Sequence, residues 1–340
     1  MEHILVTGVA GFIGYHLTER LLKEGYRITG LDNLNPYYDV NLKKARLSRL
    51  ESHEQKVNFS FVKCDLENRD SINELFYKNS FDVVVHLAAQ AGVRYSIDHP
   101  ETYISSNLVG FFNIIENCKK SNIKHLVFAS TSSVYGANKK MPFSTHDPTD
   151  HPISLYAATK KSNELLAHVY SALFNLPTTG IRFFTVYGPW GRPDMALFKF
   201  TKNILEDKPI DIYNFGRMKR DFTYIDDVVE GVYRIMQRPP EQNDGWDAIN
   251  TDPSTSFAPF RIYNLGCSNP VDLMDFIKTL EEELGKKAKK NFLPLQPGDV
   301  PETFADVSDV ERDFGYKPKT DIKYGIKQFV KWYKEYYKIC

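Results

Sequence analysis

The chain has 340 residues, enough for one large α/β unit and a smaller region around a substantial core. Lysine plus arginine equals aspartate plus glutamate, 43 each, so no global charge recruits nucleic acid or an acidic membrane surface. There is no window of about 20 unbroken apolar residues, so no membrane span is expected, and Met1 stands too near the first strand to leave room for a signal peptide.

In chain order, Glu2 to Thr7 is a short apolar run, followed by Gly8-Val9-Ala10-Gly11-Phe12-Ile13-Gly14 and a helical pattern to about Glu24. Strand, glycine turn and helix form the context of a dinucleotide fingerprint, here spaced G-x-x-G-x-x-G. Gly8, Gly11 and Gly14 permit close backbone approach, and Phe12 and Ile13 open the helix whose amides face a pyrophosphate. The next strand, Tyr26 to Leu31, ends on Asp32. An acid there suits the ribose hydroxyls of NAD and repels the phosphate of NADP. Asn33 beside it, with Asp65 and Leu66 after the strand Val57 to Val62, join it as candidate cofactor contacts.

After a helix at Ser71 to Tyr77, Phe81 to Gln90 is almost continuously apolar, the signature of a strand buried on both faces of a parallel sheet. Its small end, Leu87-Ala88-Ala89, offers a backbone wall to a cofactor; His86 reads as a core histidine. Glu101 to Lys119 predicts one long helix containing Gly110 and Asn107, the latter a further candidate cofactor contact. The strand His125 to Ala129 then runs into four hydroxyl residues, Ser130 to Ser133, at the sheet edge where α/β proteins present ligands.

The following helix, Ser154 to Asn175, carries Tyr156 and Lys160, four apart and therefore on one face. A lysine cation close to a phenol favours the phenolate, so Lys160 is expected to lower the Tyr156 pKa and make it a general base. With the strand Thr178 to Phe184 the β-α alternation gives a Rossmann-type, doubly wound parallel sheet over residues 1–184. From Thr185 a glycine-proline loop opens a smaller substrate-binding α/β region, residues 185–340, with some later segments (about 221–240) returning to the first. Arg217, Lys219 and Arg220 crowd one turn as a candidate diphosphate clamp. Pro239 to Pro259 reads as a polar, mobile loop. Cys64, Cys118, Cys267 and Cys340 are scattered, and are read as reduced, mostly core thiols of a cytoplasmic protein without a metal site.

Taken together, the glycine turn, Asp32, the Leu87-Ala88-Ala89 end, Asn107, the hydroxyl run before Val134-Tyr135-Gly136, and Tyr156-x-x-x-Lys160 resemble the extended short-chain dehydrogenase/reductase family along the whole chain. Within it, Asp32 to Val40, Ala89 to Ser96 and Phe184 to Met195 are similar to the UDP-glucuronate 4-epimerases. That resemblance implies NAD-dependent inversion at carbon 4 through a 4-keto sugar, with Thr131 in the family's catalytic Ser/Thr position beside Tyr156 and Lys160. It places Arg192 and Arg220 near the UDP phosphates, Asp299 near the uridine ribose, and Arg94 as a further anion contact. It also implies a homodimer through the helices at 101–119 and 154–175.

Related dehydratases carry Asp-Glu, and decarboxylases a glutamate, where this chain has Ser132 and Ser133, so epimerisation is what remains. Thr131, Ser132, Ser133 and Thr185 are expected to hold a sugar carboxylate. Relatives specific for UDP-glucose carry asparagine at Thr185 and tyrosine near Thr303. An epimerase of a neutral or N-acetylated UDP-sugar, and a non-catalytic dinucleotide sensor on the same fold, stand as the alternatives.

Overall fold

The computed structural model describes residues 1–339, so Cys340 lies outside the described residues. The first six strands are β1 (His3–Thr7), β2 (Arg27–Asp32), β3 (Phe59–Lys63), β4 (Val83–His86), β5 (His125–Thr131) and β6 (Thr178–Phe183). The rest are β7 (Thr185–Tyr187), β8 (Pro209–Ile212), β9 (Lys219–Tyr224), β10 (Phe260–Leu265), β11 (Pro270–Asp272) and β12 (Lys289–Phe292). Seven of them form a parallel sheet in the order β10-β6-β5-β4-β1-β2-β3. The order reverses between β1 and β4, which makes the sheet doubly wound and opens a crevice at the carboxyl ends there.

Side chains alternate across this sheet with the two-residue period of a strand. Ile4, Val6, Val83, Val85 and Val127 face one core cluster, which also holds Leu17 and Leu21 of helix Phe12–Lys23 and Val228 and Val232 of helix Ile225–Met236. Leu5, Val84, Leu126 and Phe128 face the other, filled by helices Arg69–Lys78, Gly110–Lys120 and Leu155–Phe174. Burial on both faces leaves every residue of β1, β4 and β6 buried, including the polar His3, His86 and Arg182. The edge strand β3 has no fully buried residue.

The remainder of the chain builds a three-stranded sheet, β11-β9-β7, and a parallel pair, β12 with β8, covered by helices Ala196–Leu205, Leu273–Leu284 and Ile322–Tyr337. Two of its segments return to the large sheet. Helix Ile225–Met236 packs beside helix Phe12–Lys23, and β10 pairs with β6 from Phe260↔Thr178 to Leu265↔Phe183. The return at β10 lies beyond the expected 221–240.

Several other expectations need correcting. The apolar run at 81–90 is a strand only over Val83–His86, because Leu87 to Gln90 turn out as cleft wall. The long helix expected at 101–119 is Pro100–Tyr103, a wider π turn at Ile104–Val109, and Gly110–Lys120. The wide turn aims Asn107 inward, and Gly110 lets Leu66 pack where a Cβ would sit 2.6 Å from the leucine Cβ. The loop before β10 is tied rather than free: Ser254 and Ser256 are buried, and Ser256 meets His168 Nε2 at 2.8 Å. Of the described thiols, only Cys118 is fully buried; Cys64 and Cys267 are half-exposed. Among the described residues no helix is long and apolar enough to cross a membrane.

Candidate active site

Gly8, at φ 75°, lies so close to the end of β4 that a Cβ there would come 2.9 Å from the Ala88 nitrogen. Its carbonyl faces the next helix, and a Cβ on Gly14 would come within 2.1 Å of that oxygen. Any side chain would push the helix off the turn. Phe12, Ile13 and Gly14 hold the first-turn amides, which have no carbonyl partner within their own helix. They point where a diphosphate is stabilised by amides and helix dipole together.

Asp32 is buried at the end of β2, accepting from the amides of Ala10 at 3.1 Å and Leu34 at 2.8 Å. Burial raises its pKa against those amides and the Lys43 and Arg46 cations. Asn33 donates to Asp65 at 2.5 Å, closing the far rim. The Leu66 carbonyl accepts from Asn113 at 2.8 Å, and Ala88 is held by the Thr7 hydroxyl at 3.1 Å. Leu87 and Ala89 are half-buried beside it. Asn107 needs correction as a cofactor contact. Its amide group bonds the Gln90 backbone on both sides, at 2.8 and 3.0 Å, and Thr159 at 3.1 Å. The side chain is thus occupied in clamping the Leu87–Gln90 wall to helix Leu155–Phe174.

At the end of β5, Thr131 caps a short 3-10 turn, Ser132–Tyr135, by accepting from the Ser133 amide at 3.2 Å. Ser132 and Ser133 are half-buried in that turn. Ser130 points the other way, donating at 2.6 Å to Glu164, which is locked to the buried Arg182 by two bonds of 2.9 Å. Burial opposes the Glu164 charge, but the Arg182 guanidinium outweighs it and holds the carboxyl below its ordinary range.

Ser154 caps helix Leu155–Phe174 through the Ala157 amide, and Lys160 follows one turn after Tyr156. Lys160 is 1 % exposed and its Nζ has no hydrogen-bond partner among the described residues. Burial pushes its pKa down to about 8 against the attraction of Glu164. The expected effect of Lys160 on Tyr156 is corrected by the structure. Burial raises the phenol pKa, and the influences that lower it are the Thr131 hydroxyl and the Arg192 cation. Lys160 instead faces Glu164 and His86, whose imidazole burial holds neutral at about 3.

The substrate side is assembled from distant segments. Arg94 pairs with Asp299 at 2.5 Å and lies over the Tyr213 ring at 4.2 Å. Arg220, half-buried nearby, donates to the carbonyls of Val300 at 2.7 Å and Pro301 at 3.0 Å, while Arg217 and Lys219 of the expected clamp are exposed. Arg192 stands apart from them, in a two-bond pair with Asp194 at 3.0 and 2.5 Å, with the Tyr37 hydroxyl on the same carboxylate. Thr185 opens β7 opposite Phe222. Thr303 is buried and meets the Asp221 amide at 3.4 Å, turned into the protein.

Residues 4–250 match the model of the NAD dependent epimerase/dehydratase family. The chain belongs to this family. It is 57% identical to Protein CapI of Staphylococcus aureus, over 98% of this chain and 99% of that one. It is 50% identical to a probable UDP-glucuronate 4-epimerase of Rhizobium meliloti, over 98% and 97%. The crystal structure of UDP-glucuronic acid 4-epimerase from Bacillus cereus, in complex with UDP-glucuronic acid and NAD, superposes with a TM-score of 0.87 at 35% identity, covering 98% of this chain and 100% of that one.

The residues present fit the cofactor of the family. A glycine cradle that any Cβ would fill leads to an unpartnered buried ammonium at Lys160. Three residues of this NAD-dependent epimerase/dehydratase site were invisible in the sequence. Lys43, 6% exposed, donates to the Asn35 carbonyl and side chain at 2.9 Å beside Asp32. Arg46 and Asp194 join it. Their only sequence signal is a cation at helical spacing or an acid two residues past an arginine, which ordinary surfaces also show.

Proposed function

We propose that this protein interconverts UDP-glucuronate and UDP-galacturonate by inversion at carbon 4, with NAD retained through each cycle. The observation that carries the reading is the set Thr131, Tyr156 and unpartnered Lys160 at the crevice, flanked by the neutral Ser132 and Ser133. NAD, when bound, supplies the acceptor for the carbon-4 hydride and returns it to the opposite face of the keto sugar. Tyr156 takes the proton of the 4-hydroxyl and gives it back, while the Thr131 hydroxyl holds that oxygen. Lys160 holds ribose hydroxyls, which gives its ammonium the partners it lacks among the described residues.

A 4-keto uronate readily loses carbon dioxide. In this reading Thr131, Ser132, Ser133 and Thr185 hold the carboxylate out of the geometry that breaks that bond, and no carboxylate stands in the turn to act as acid or base for dehydration. Arg94, Asp299 and Arg220 receive the uridine diphosphate. Residues 1–184 with the returned helix and β10 form the cofactor unit, and the rest of 185–340 the substrate unit. Incubation with UDP-glucuronate and no added NAD, followed by NMR, tests the activity. UDP-galacturonate is the expected product; a UDP-pentose, or conversion only of UDP-glucose or UDP-N-acetylglucosamine, refutes the assignment.

The same reading makes the protein a cytoplasmic homodimer supplying a uronate for polysaccharide biosynthesis. Support comes from Leu165, Val169 and Leu173, exposed at four-residue spacing on helix Leu155–Phe174, with Val109 and Phe112 exposed on the helix beside it. Light scattering after chromatography should give twice the chain mass, and Leu165→Glu should halve it.

A further inference from the structure

Three consecutive carbonyls of the loop that carries Arg192 are held by side chains from the cofactor half. His16, on helix Phe12–Lys23, donates from Nε2 to the Pro189 carbonyl at 2.9 Å. Arg46, on helix Val40–Glu51, donates through Nη2 to Trp190 at 2.5 Å and to Gly191 at 3.3 Å. Its Nη1 reaches the Ala10 carbonyl, inside the glycine turn itself, and the Tyr38 hydroxyl, both at 2.8 Å. One guanidinium therefore touches the cofactor turn and the substrate loop at once.

Arg46 is 0% exposed, and its acceptors are three backbone carbonyls and a phenol, none of them a carboxylate. A cation buried against neutral dipoles is costly. Only a planar fork of donors reaches acceptors on both sides of one plane, which a lysine ammonium cannot copy. The loop is also braced from behind. Trp190 holds a left-handed backbone, φ 61°, unusual for so large a residue, with its ring against Trp332 and Tyr336 at 5.3 and 5.2 Å. Burial, with the Arg46 and Arg49 cations, keeps His16 neutral at about 3, so Nε2 keeps its proton and donates it to the Pro189 carbonyl across the working range. Arg192 is the next residue after the three held carbonyls, and its charge already reaches Tyr156.

We propose that Arg46 and His16 are positioning residues for the reaction. They fasten the substrate loop to the glycine turn and so fix Arg192 between Tyr156 and the substrate diphosphate. The loop is then a wall of the cleft built in register with the cofactor, not a lid that closes over it. The assignment rests on the proposed function for the substrate class, but its test reads UDP binding and needs no turnover.

Arg46→Lys and His16→Leu are compared in the full-length protein and in an Arg192→Ala background, with UDP titrated by calorimetry and bound NAD counted after denaturation. Arg46→Lys should weaken UDP about tenfold, a misplacement effect, and His16→Leu, whose hydrogen bond goes only to the substrate loop, should weaken UDP with bound NAD within twofold. With Arg192 already removed, each change should move UDP affinity less than twofold. His16→Gln, which keeps an N–H donor, should restore affinity to within threefold of the unsubstituted protein where His16→Leu loses it. Equal losses in both backgrounds mean that Arg46 and His16 act through general stability, and overturn the proposal. Should Arg46→Lys fail to fold, the His16 pair decides alone by the same criterion. An unsubstituted protein that binds UDP but leaves UDP-glucuronate unchanged overturns the activity and not this assignment.

Discussion

The two sides of the cleft are built on opposite terms. On the cofactor side the groups that face a ligand are free of partners among the described residues: first-turn amides of helix Phe12–Lys23 and the ammonium of Lys160. On the substrate side three arginines already have acceptors, Arg192 on Asp194, Arg94 on Asp299, and Arg220 on the Val300 and Pro301 carbonyls. Binding on the first side adds interactions to a rigid, ready-made surface. On the second it exchanges one partner for another, and partly exposed ion pairs contribute only about 0–1 kcal/mol, so the exchange is nearly neutral. A cofactor that stays through many cycles and a substrate that leaves each time are what these two constructions suit.

The largest expected effect falls on the chemistry and leaves both kinds of binding alone. Tyr156→Phe should lower kcat by about a thousandfold with bound NAD and UDP affinity unchanged; a rate within tenfold of the original would remove Tyr156 from the role of base. Next, Gly14→Ala attacks the ready-made side, where its Cβ would meet the Gly8 carbonyl at 2.1 Å. The purified variant should carry less than about a tenth of the NAD, since a displacement of the helix by an ångström costs that much positioning. Full occupancy in an acid extract would show that the turn yields more easily than its packing implies.

Arg94→Ala tests the exchange side. Because its ion pair with Asp299 is made before substrate arrives, KM should rise about tenfold while kcat stays within twofold, the pattern of uniform binding. A fall confined to kcat would contradict it. The pH profile gives a smaller effect with a definite sign. Tyr156 must lose its proton while Lys160 keeps its own; with the phenol raised by burial and Lys160 brought down to about 8, the rate climbs to about pH 8 and then levels, each further gain in phenolate being offset by loss of the ammonium. Lys160→Arg, which stays charged, should go on climbing above pH 8, whatever its absolute rate. The smallest effect is on product ratio. Replacing Ser132 and Ser133 by alanine should raise pentose by-product above its original level by NMR, and an unchanged ratio would end the carboxylate-holding argument.

The same contrast decides what could be read in advance. On the cofactor side the glycines, Asp32, and the Tyr156–Lys160 pair are local in sequence, so spacing and strand-turn-helix order carry them. Even there Asn107 was placed on an ordinary helix, and only the wide turn at Ile104–Val109 shows it facing Gln90. On the substrate side Arg94 and Asp299 lie 205 residues apart, and no spacing joins them. Tyr213, Arg46 and His16 carry no motif at all, because their importance comes from which backbone the fold lays beside them. The Lys160 effect on Tyr156 misled for a related reason: helical spacing places two groups on one face, but burial and the third group, Glu164, decide where their charges act.

The pairing of β10 with β6 has a consequence for how the molecule is made. The chain leaves the large sheet at Phe183 and does not supply that sheet's last strand until Phe260–Leu265. A ribosome adding about 5–20 residues per second would leave the open edge of β6 exposed for several seconds. During that interval Thr178 to Phe183 presents unpaired backbone to any other strand in reach, which is the hazard of an uncovered edge. A chain cut after residue 184 would hold that state permanently, and would be expected to aggregate even though every residue of the cofactor fingerprint is present.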